Sequence, residues 1–316
     1  MPAAPSNSCQ IRLALVVAAS VALGPQGAAA QPSPSFVTPT RCAVTRRATV
    51  PLLPRGLVMV NASINGGAAT LVLDTGAERS IITSEAAARL KVTGRYDFDR
   101  TISGIGRSIA SGDARLESLM LGGFNLPYPR ILVGPVRLGS HAGLQPDGLL
   151  GADLLGDFDV EVDLPHNRLS LYDRSACPTL RPPWPGAYVT IESTRGLGRH
   201  PFFPIQVDGR TLTATLDSGA TRTVVGAQAA ARVGVSAAAL AADPSAKTAG
   251  AGGEQVPVSL HRFRQFSVAG DALGFPVLVA GIALPPDIDA ILGLDYLASR
   301  RVYLSYGSRR IFVARE

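Results

Sequence analysis

The sequence predicts an all-β protein built from two homologous lobes, each with one or two short helices. The chain is 46% hydrophobic with 33 Gly and 24 Pro, a composition that suits a folded, strand-rich protein. An internal repeat covers most of the chain, and hairpin dipeptides stand at matching places in the two copies. With 316 residues, the chain is long enough for two such lobes.

The first thirty residues have the pattern of a secretory signal peptide. Arg12 precedes an apolar run at 13–23, and after a Gly-Pro break the small residues Ala28-Ala29-Ala30 follow. We expect cleavage after Ala30 and a periplasmic or secreted mature protein. An uncleaved anchor is the alternative, but eleven residues are short for a bilayer, so we expect no membrane span after signal removal.

The mature chain divides into four segments. Residues 31–48 form an N-terminal extension, 49–176 the first lobe, 177–185 a linker and 186–316 the second lobe. The linker is assigned from its four prolines, which favour extended backbone.

Two cysteines remain after signal removal, Cys42 and Cys177. In an oxidising compartment a single disulfide is expected, and two free buried thiols are the alternative. The chain has no CxxC motif and only four scattered histidines, so we expect neither a metal site nor a cofactor.

The formal charge of +6 is spread along the chain in arginine pairs. A nucleic-acid interface would need clustered basic residues with interleaved aromatics, and aromatic residues make up only 6% of the sequence. No nucleic-acid partner is therefore expected.

The repeat is clearest around two acid-hydroxyl-glycine motifs. LDTGAERSIITSEAAARL at 73–90 aligns without a gap with LDSGATRTVVGAQAAARV at 216–233, which pairs Asp74 with Asp217. Upstream, Asn65-Gly66 and Asp208-Gly209 predict a hairpin before each acid, so each acid would end a return strand.

A second match lies downstream of each acid. DGLLGADLL at 147–155 corresponds to DAILGLDYL at 289–297. Gly151 follows Asp74 by 77 residues, and Gly293 follows Asp217 by 76. The acids inside these segments, Asp153 and Asp295, are interpreted as structural caps.

These motifs resemble the pepsin and retropepsin superfamily of aspartic proteases. The sequence around Asp74 is more similar to retropepsin-like proteins of bacteria than to pepsin. The resemblance covers nearly all of the mature chain. It implies a bilobal fold of two β-barrel-like lobes with one catalytic aspartate from each. Because one chain carries both acids, it implies a monomer that acts as a pseudo-dimer, with a peptide or protein substrate bound in extended conformation.

The resemblance also assigns roles to the motif residues. Asp74 and Asp217 would be the catalytic pair, and the glycines of the downstream segments, Gly151 and Gly293, would lie behind the site. Hydroxyls can bond across the pair and glycines let backbone approach the carboxylates. The residues expected to support the pair in these two ways are Thr75, Gly76, Ser218 and Gly219.

Each half also has a glycine-rich segment where the family places a flap, a hairpin that closes over substrate. These segments are Gly104-Ile105-Gly106 and Gly250-Ala251-Gly252. The alternative for each is an ordinary hairpin tip. Neither contains the tyrosine that pepsin-type flaps usually carry.

The leading hypothesis is an exported aspartic endopeptidase. Ala77 and Ala220 stand where pepsin-like enzymes generally carry a hydroxyl residue. One hydrogen bond to each ionised carboxylate would be missing, which raises pKa values and predicts activity at mildly acidic pH. The alternative is a module that holds extended peptides in the cleft without cutting them. A third possibility is that each lobe pairs with the matching lobe of another chain.

Overall fold

The computed structural model describes residues 42–94, 100–104, 107–127, 129–139, 143–195, 199–249, 255–281, 284–285 and 287–315. The expected signal peptide and most of the extension lie outside these residues, as do Ile105, Gly106 and 250–252 of the expected flap tips. Within the described residues, no helix has both the length and the apolar character needed to cross a membrane.

The first half consists of twelve strands and two short helices among the described residues. The strands are β1 (Arg46–Arg55), β2 (Leu57–Ile64), β3 (Gly67–Leu73), β4 (Ile81–Thr83), β5 (Arg100–Gly104), β6 (Arg107–Arg115), β7 (Leu119–Leu121), β8 (Phe124–Asn125), β9 (Arg130–Gly134), β10 (Gly148–Leu150), β11 (Phe158–Asp163) and β12 (Arg168–Asp173). The helices are α1 (Ser84–Arg89) and α2 (Ala152–Leu155).

The second half repeats this order with small differences. Its described strands are β13 (Tyr188–Glu192), β14 (Thr194–Arg195), β15 (Pro201–Val207), β16 (Arg210–Leu216), β17 (Val224–Gly226), β18 (Ser245–Ala249), β19 (Gln255–His261), β20 (Phe266–Val268), β21 (Asp271–Ala272), β22 (Val277–Ala280), β23 (Ala290–Leu292), β24 (Arg301–Ser305) and β25 (Arg310–Ala314). The helices are α3 (Ala227–Arg232), α4 (Ala237–Ala242) and α5 (Leu294–Leu297). The extra helix, α4, begins where Ser236 accepts a hydrogen bond from the Ala239 N–H.

Both expected hairpins are confirmed. Strand β2 turns into β3 at Asn65-Gly66, with φ of 51° and 79°, and β15 turns into β16 at Asp208-Gly209, with φ of 44° and 79°. Two consecutive positive φ values are what a two-residue hairpin of type I′ requires. Each motif acid therefore follows a return strand.

The segment around each acid is held in the same pattern in both halves. Strand β10 pairs in parallel with β3 and antiparallel with β4, and β23 does the same with β16 and β17. The described strands β3, β4, β16, β17 and their partners contribute to the largest apolar core. The acids thus emerge from the most strongly buried part of each half.

The two halves share a sheet. Its strand order runs β13-β25-β24-β11-β12-β1, and the pairing of β11 with β24 crosses from one half to the other. The segment bounds predicted from the sequence keep β11 and β12 in the first lobe and β24 and β25 in the second. The structure joins these two strand pairs in one sheet, because β11 pairs with β24. Strand β1 begins at Arg46, inside the segment assigned as an extension, and pairs with β12 in this sheet.

Cys42 and Cys177 form a disulfide with a Cα–Cα separation of 6.1 Å, which confirms the expected bond. Both cysteines pack on an apolar cluster of the shared sheet that includes Trp184, Tyr303 and Phe312. The disulfide therefore fastens the start of the described chain to the linker between the halves.

Candidate active site

The two motif acids stand in equivalent places, one residue beyond β3 and β16. The Asp74 N–H donates to the Leu150 carbonyl at 3.0 Å, and the Asp217 N–H donates to the Leu292 carbonyl at 2.9 Å. Each acid is thus hydrogen-bonded to the parallel strand of its own half, β10 for Asp74 and β23 for Asp217. Both acids are half-buried, so part of each residue stays accessible to a ligand.

A reciprocal set of hydrogen bonds joins the two acid loops. The Thr75 hydroxyl donates to the Leu216 carbonyl at 2.9 Å and accepts from the Ser218 N–H at 3.0 Å. In the other direction, the Ser218 hydroxyl donates to the Leu73 carbonyl at 2.7 Å and accepts from the Thr75 N–H at 3.1 Å. Both hydroxyls are almost fully buried. Neither loop can shift without breaking bonds to the other, which holds the acids in register.

The motif glycines lie against the opposite carboxylates. A Cβ on Gly76 would come within 2.2 Å of Asp217 Cγ, and one on Gly219 within 2.5 Å of Asp74 Cγ. The N–H groups of these glycines donate to their own acids, at 3.0 Å to Asp74 and 2.8 Å to Asp217. Only a residue without a side chain fits at either place.

The downstream glycines pack behind the acid loops. A Cβ on Gly151 would lie 2.8 Å from the Ala77 carbonyl oxygen, and one on Gly293 would lie 2.5 Å from the Arg222 carbonyl carbon. Both glycines therefore sit where the resemblance places them, in backbone contact with the segment that follows each acid.

The structural role predicted for Asp153 and Asp295 is confirmed, and it extends beyond capping. Asp153 accepts from the Leu154 N–H in the first turn of α2 at 2.9 Å, and also from the Ser80 N–H at 2.9 Å and the Ser80 hydroxyl at 2.6 Å. Asp295 accepts from the Thr223 N–H and hydroxyl at 2.8 and 2.6 Å. These carboxylates hold the end of each acid loop, a role hidden from sequence because the bonded residues are more than seventy positions apart.

Burial and repulsion control the protonation of the pair. Burial raises the pKa of Asp74 well above its usual range, and the charge of Asp217 and a hydrogen bond to it raise that pKa further. Burial also raises the pKa of Asp217, but donation from Asp74 and from the Gly219 and Ala220 N–H groups opposes the rise. Ionising both carboxylates is therefore costly, and the pair favours one shared proton.

His200 was not singled out by the sequence. Its ring is buried, and Nδ1 lies 3.1 Å from the Thr75 carbonyl oxygen. A carbonyl only accepts, so Nδ1 carries the hydrogen of this bond. A positive charge on His200 would lower the pKa of Asp217. The contact spans 125 positions, and no local pattern marks it.

The described parts of the expected flaps are hairpin strands. Strand β5 pairs with β6 as far as Gly104 opposite Arg107, and β18 pairs with β19 as far as Ala249 opposite Gln255. Gly104 thus ends a strand, and the other five residues assigned to the flap tips lie outside the described residues. The Arg79 guanidinium bonds Asp113 of β6 at 2.8 Å and Asp153 at 3.2 Å, which links the first hairpin to the acid loop.

Metal-ligating side chains do not gather at this site. In the described part of the chain, no group of three or more His, Cys, Asp and Glu side chains could hold a metal ion.

Comparison with known proteins agrees with this geometry. A family described as aspartyl protease matches twice, at residues 60–154 and 203–296. Among solved structures, the aspartic proteinase from Irpex lacteus aligns with a TM-score of 0.51 at 14% identity, over 86% of this chain and 97% of that one. At that identity the likeness shows the bilobal fold alone. No curated protein matches the chain. The two family matches cover more than half of the sequence, one over each acid motif, and the chain therefore belongs to the aspartyl protease family.

Proposed function

We propose that the chain is an exported aspartic endopeptidase that hydrolyses peptide bonds at mildly acidic pH. One observation carries the proposal: two half-buried carboxylates face each other across loops locked by reciprocal Thr75–Ser218 hydrogen bonds. A pure binding protein would gain nothing from two acids that raise the cost of ionising each other.

Because the pair shares one proton, one acid is ionised and the other protonated, and we place the charge on Asp217 because the Gly219 and Ala220 N–H groups both donate to its carboxylate. Asp217, ionised and supported by N–H donors, takes a proton from a water molecule as the water oxygen attacks the peptide carbonyl. Asp74, protonated, donates its proton to the carbonyl oxygen as the tetrahedral species forms. Collapse of that species breaks the C–N bond and transfers a proton to the leaving amine. The step needs no covalent intermediate.

The pH range of activity follows from the same groups. Activity requires one proton on the pair, and it falls as pH rises through the raised pKa of Asp74 and the proton is lost. On the acid side it falls as Asp217 becomes protonated, and burial also raises the pKa of that group. We therefore expect an optimum above that of gastric-type proteases. An optimum near pH 2 contradicts this proposal.

The first experiment is cleavage of casein by residues 31–316 between pH 3 and 7. We expect Asp74→Asn and Asp217→Asn each to abolish cleavage, and Asp271→Asn, on a surface hairpin of the second half, to retain it. A statine-type inhibitor should block the wild-type protein. A folded protein that binds the inhibitor but never cuts would favour the peptide-holding module.

Mixing the two inactive variants tests the single-chain site. If one chain supplies both acids, an equimolar mixture of the Asp74→Asn and Asp217→Asn proteins stays inactive. Recovery of about a quarter or more of wild-type activity in the mixture would instead indicate lobes paired between chains.

Export is tested separately. Expressed in a bacterium, the full chain should yield a mature protein with Gln31 at its N-terminus, outside the cytoplasm. A variant that lacks residues 2–30 should stay in the cytoplasmic fraction. The same distribution for both proteins would contradict export.

A further inference from the structure

A pocket separate from the aspartate pair lies where the two halves meet. Its volume is about 220 Å³, and residues of both halves form its wall. This space exceeds what one ordered water requires, about 10 to 15 Å³, and is small for an extended peptide. It suits a small ligand.

The wall of this pocket is strongly basic. Four arginines line it, together with two hydroxyl residues of β14 and β24: Arg174, Arg199, Arg309, Arg310, Thr194 and Ser305. Guanidinium groups bind oxyanions through parallel N–H donors. The hydroxyls of Thr194 and Ser305 already donate within the protein, to the Phe202 carbonyl and to Asp159.

Two of these four arginines already pair with carboxylates. Arg199 pairs with Asp157, and Arg310 pairs with Glu192 at 2.8 Å. Arg174 donates to a neutral carbonyl, that of Tyr306, at 3.5 Å. Among the residues that the structure describes, neither Arg174 nor Arg309 forms an ion pair. Three carboxylates lie beside the four arginines: Asp157, Glu192 and the buried Asp159, which accepts from the Ser305 hydroxyl of the wall. The wall therefore keeps a net positive charge.

A buried, unpartnered hydroxyl belongs to the same wall. Tyr306 lines the pocket and is 9% exposed, and within the described part of the chain its hydroxyl has no hydrogen-bond partner. Burial raises the pKa of Tyr306; the Arg199 charge lowers this pKa and the Asp159 charge raises it. Buried polar groups are nearly always satisfied, so this hydroxyl is a donor free to bond a molecule that occupies the pocket.

We propose that this pocket binds a small multivalent oxyanion of phosphate type, held by Arg174 and Arg309 and by the Tyr306 hydroxyl. The binding site is separate from the aspartate pair and does not depend on its chemistry.

The pocket is also connected to the acid loop. His200 lines it and donates from Nδ1 to the Thr75 carbonyl. The Thr75 carbonyl and the Gly76 N–H belong to one peptide unit, and this N–H donates to Asp74. Hydrogen bonds in such a chain polarise one another. An anion beside His200 strengthens its donation, so occupancy is expected to change peptide hydrolysis; this consequence alone rests on the proposed function.

Calorimetric titration of residues 31–316 with pyrophosphate, at constant ionic strength set with NaCl, tests the site. We expect saturable binding of one pyrophosphate per chain. The double variant Arg174→Gln/Arg309→Gln should bind at least tenfold more weakly. Arg210→Gln is the matched control, because Arg210 is an exposed arginine at the far end of the β15–β16 hairpin, and it should bind as the wild type does.

Circular dichroism and thermal unfolding confirm that each variant is folded. Absence of saturable binding at constant ionic strength overturns the proposal, as does wild-type affinity in the folded double variant. A citrate titration separates the ligand classes: binding of citrate without pyrophosphate overturns the phosphate-type assignment.

Casein cleavage with and without pyrophosphate tests the connection to the acids. A change of twofold or more in the wild type that disappears in the double variant supports it, and an unchanged rate at saturation overturns it. If the wild type never cleaves casein, the proposed protease function fails, while the calorimetric result still decides the anion site.

Discussion

At the scale of single residues, the aspartate pair should make folding stability depend on pH. The pKa values of Asp74 and Asp217 are raised in the folded protein, the former well above its usual range. The folded state therefore binds protons more tightly than the unfolded chain. The pair's contribution to stability is complete below the unfolded value, about 3.9, and is lost as pH rises through the folded values.

Asp74→Asn removes the shared titration and the repulsion. We expect its Tm to fall less between pH 4 and pH 7 than that of the wild type, measured by calorimetry at constant ionic strength. Asp271→Asn should follow the wild-type profile. A wild-type pH dependence in Asp74→Asn would mean that the two carboxylates do not interact.

Thr75 is the second test at this scale, because its hydroxyl makes two bonds across the halves. Thr75→Val keeps the shape but leaves the Leu216 carbonyl and the Ser218 N–H without partners in a buried place. The expected loss is about 1 to 3 kcal/mol for each orphaned group, measured by urea unfolding. A fall in kcat with little change in KM should accompany it, since the acids lose their register.

The control for Thr75→Val is Thr190→Val, an exposed threonine in β13. It should change neither stability nor activity. Equal effects of the two variants would mean that the loss of any hydroxyl, and not the bond across the halves, causes the change.

At the scale of elements, the β11–β24 pairing places charged side chains in the interior. Glu161 and Asp163 of β11 are almost fully buried, and Arg301 of β24 bonds Glu161 at 2.7 Å and approaches Asp163 at 3.4 Å. Arg168 is a second partner of both acids. Removing one partner from a buried ionic group is costly because a desolvated charge remains.

We therefore expect Arg301→Gln to lower the free energy of unfolding by about 3 kcal/mol, the low end for a broken buried pair because Arg168 remains. The measurement is urea unfolding at pH 7. Arg47→Gln is the control: its pair with Asp173 lies in the same sheet but is nearly half-exposed on both sides, so little change is expected. Similar losses in the two variants would contradict this argument.

Sequence reasoning succeeded where the two copies repeat and failed where a contact occurs once. The hairpins and the acid loops are local patterns present twice, so each copy supports the other. The pairing of β11 with β24 could not be predicted, because β11 alternates apolar and acidic residues, a pattern that predicts one solvent-facing side. The structure buries both sides, since Arg168 of β12 and Arg301 of β24 pair with the acids. His200 was missed because the repeat offers no second copy of it: the equivalent position in the first half is Leu57.

At the scale of the whole molecule, one covalent bond closes the first half. The Cys42–Cys177 disulfide spans a sequence separation of 135 and joins the start of the described chain to the linker. In the chain-entropy model, closing a loop of that length stabilises the fold by roughly 5 kcal/mol, because the unfolded chain loses conformations.

Cys42→Ser/Cys177→Ser should therefore unfold at a markedly lower urea concentration than the wild type. Reduction with dithiothreitol should lower the wild-type midpoint to that of the double variant and leave the variant unchanged, which separates loss of the bond from any effect of the serines. The acid loops are joined by their own hydrogen bonds and lie apart from the disulfide, so the folded variant should keep its inhibitor affinity. Loss of that affinity in a still-folded protein would show instead that the bond between extension and linker also sets the register of the two halves.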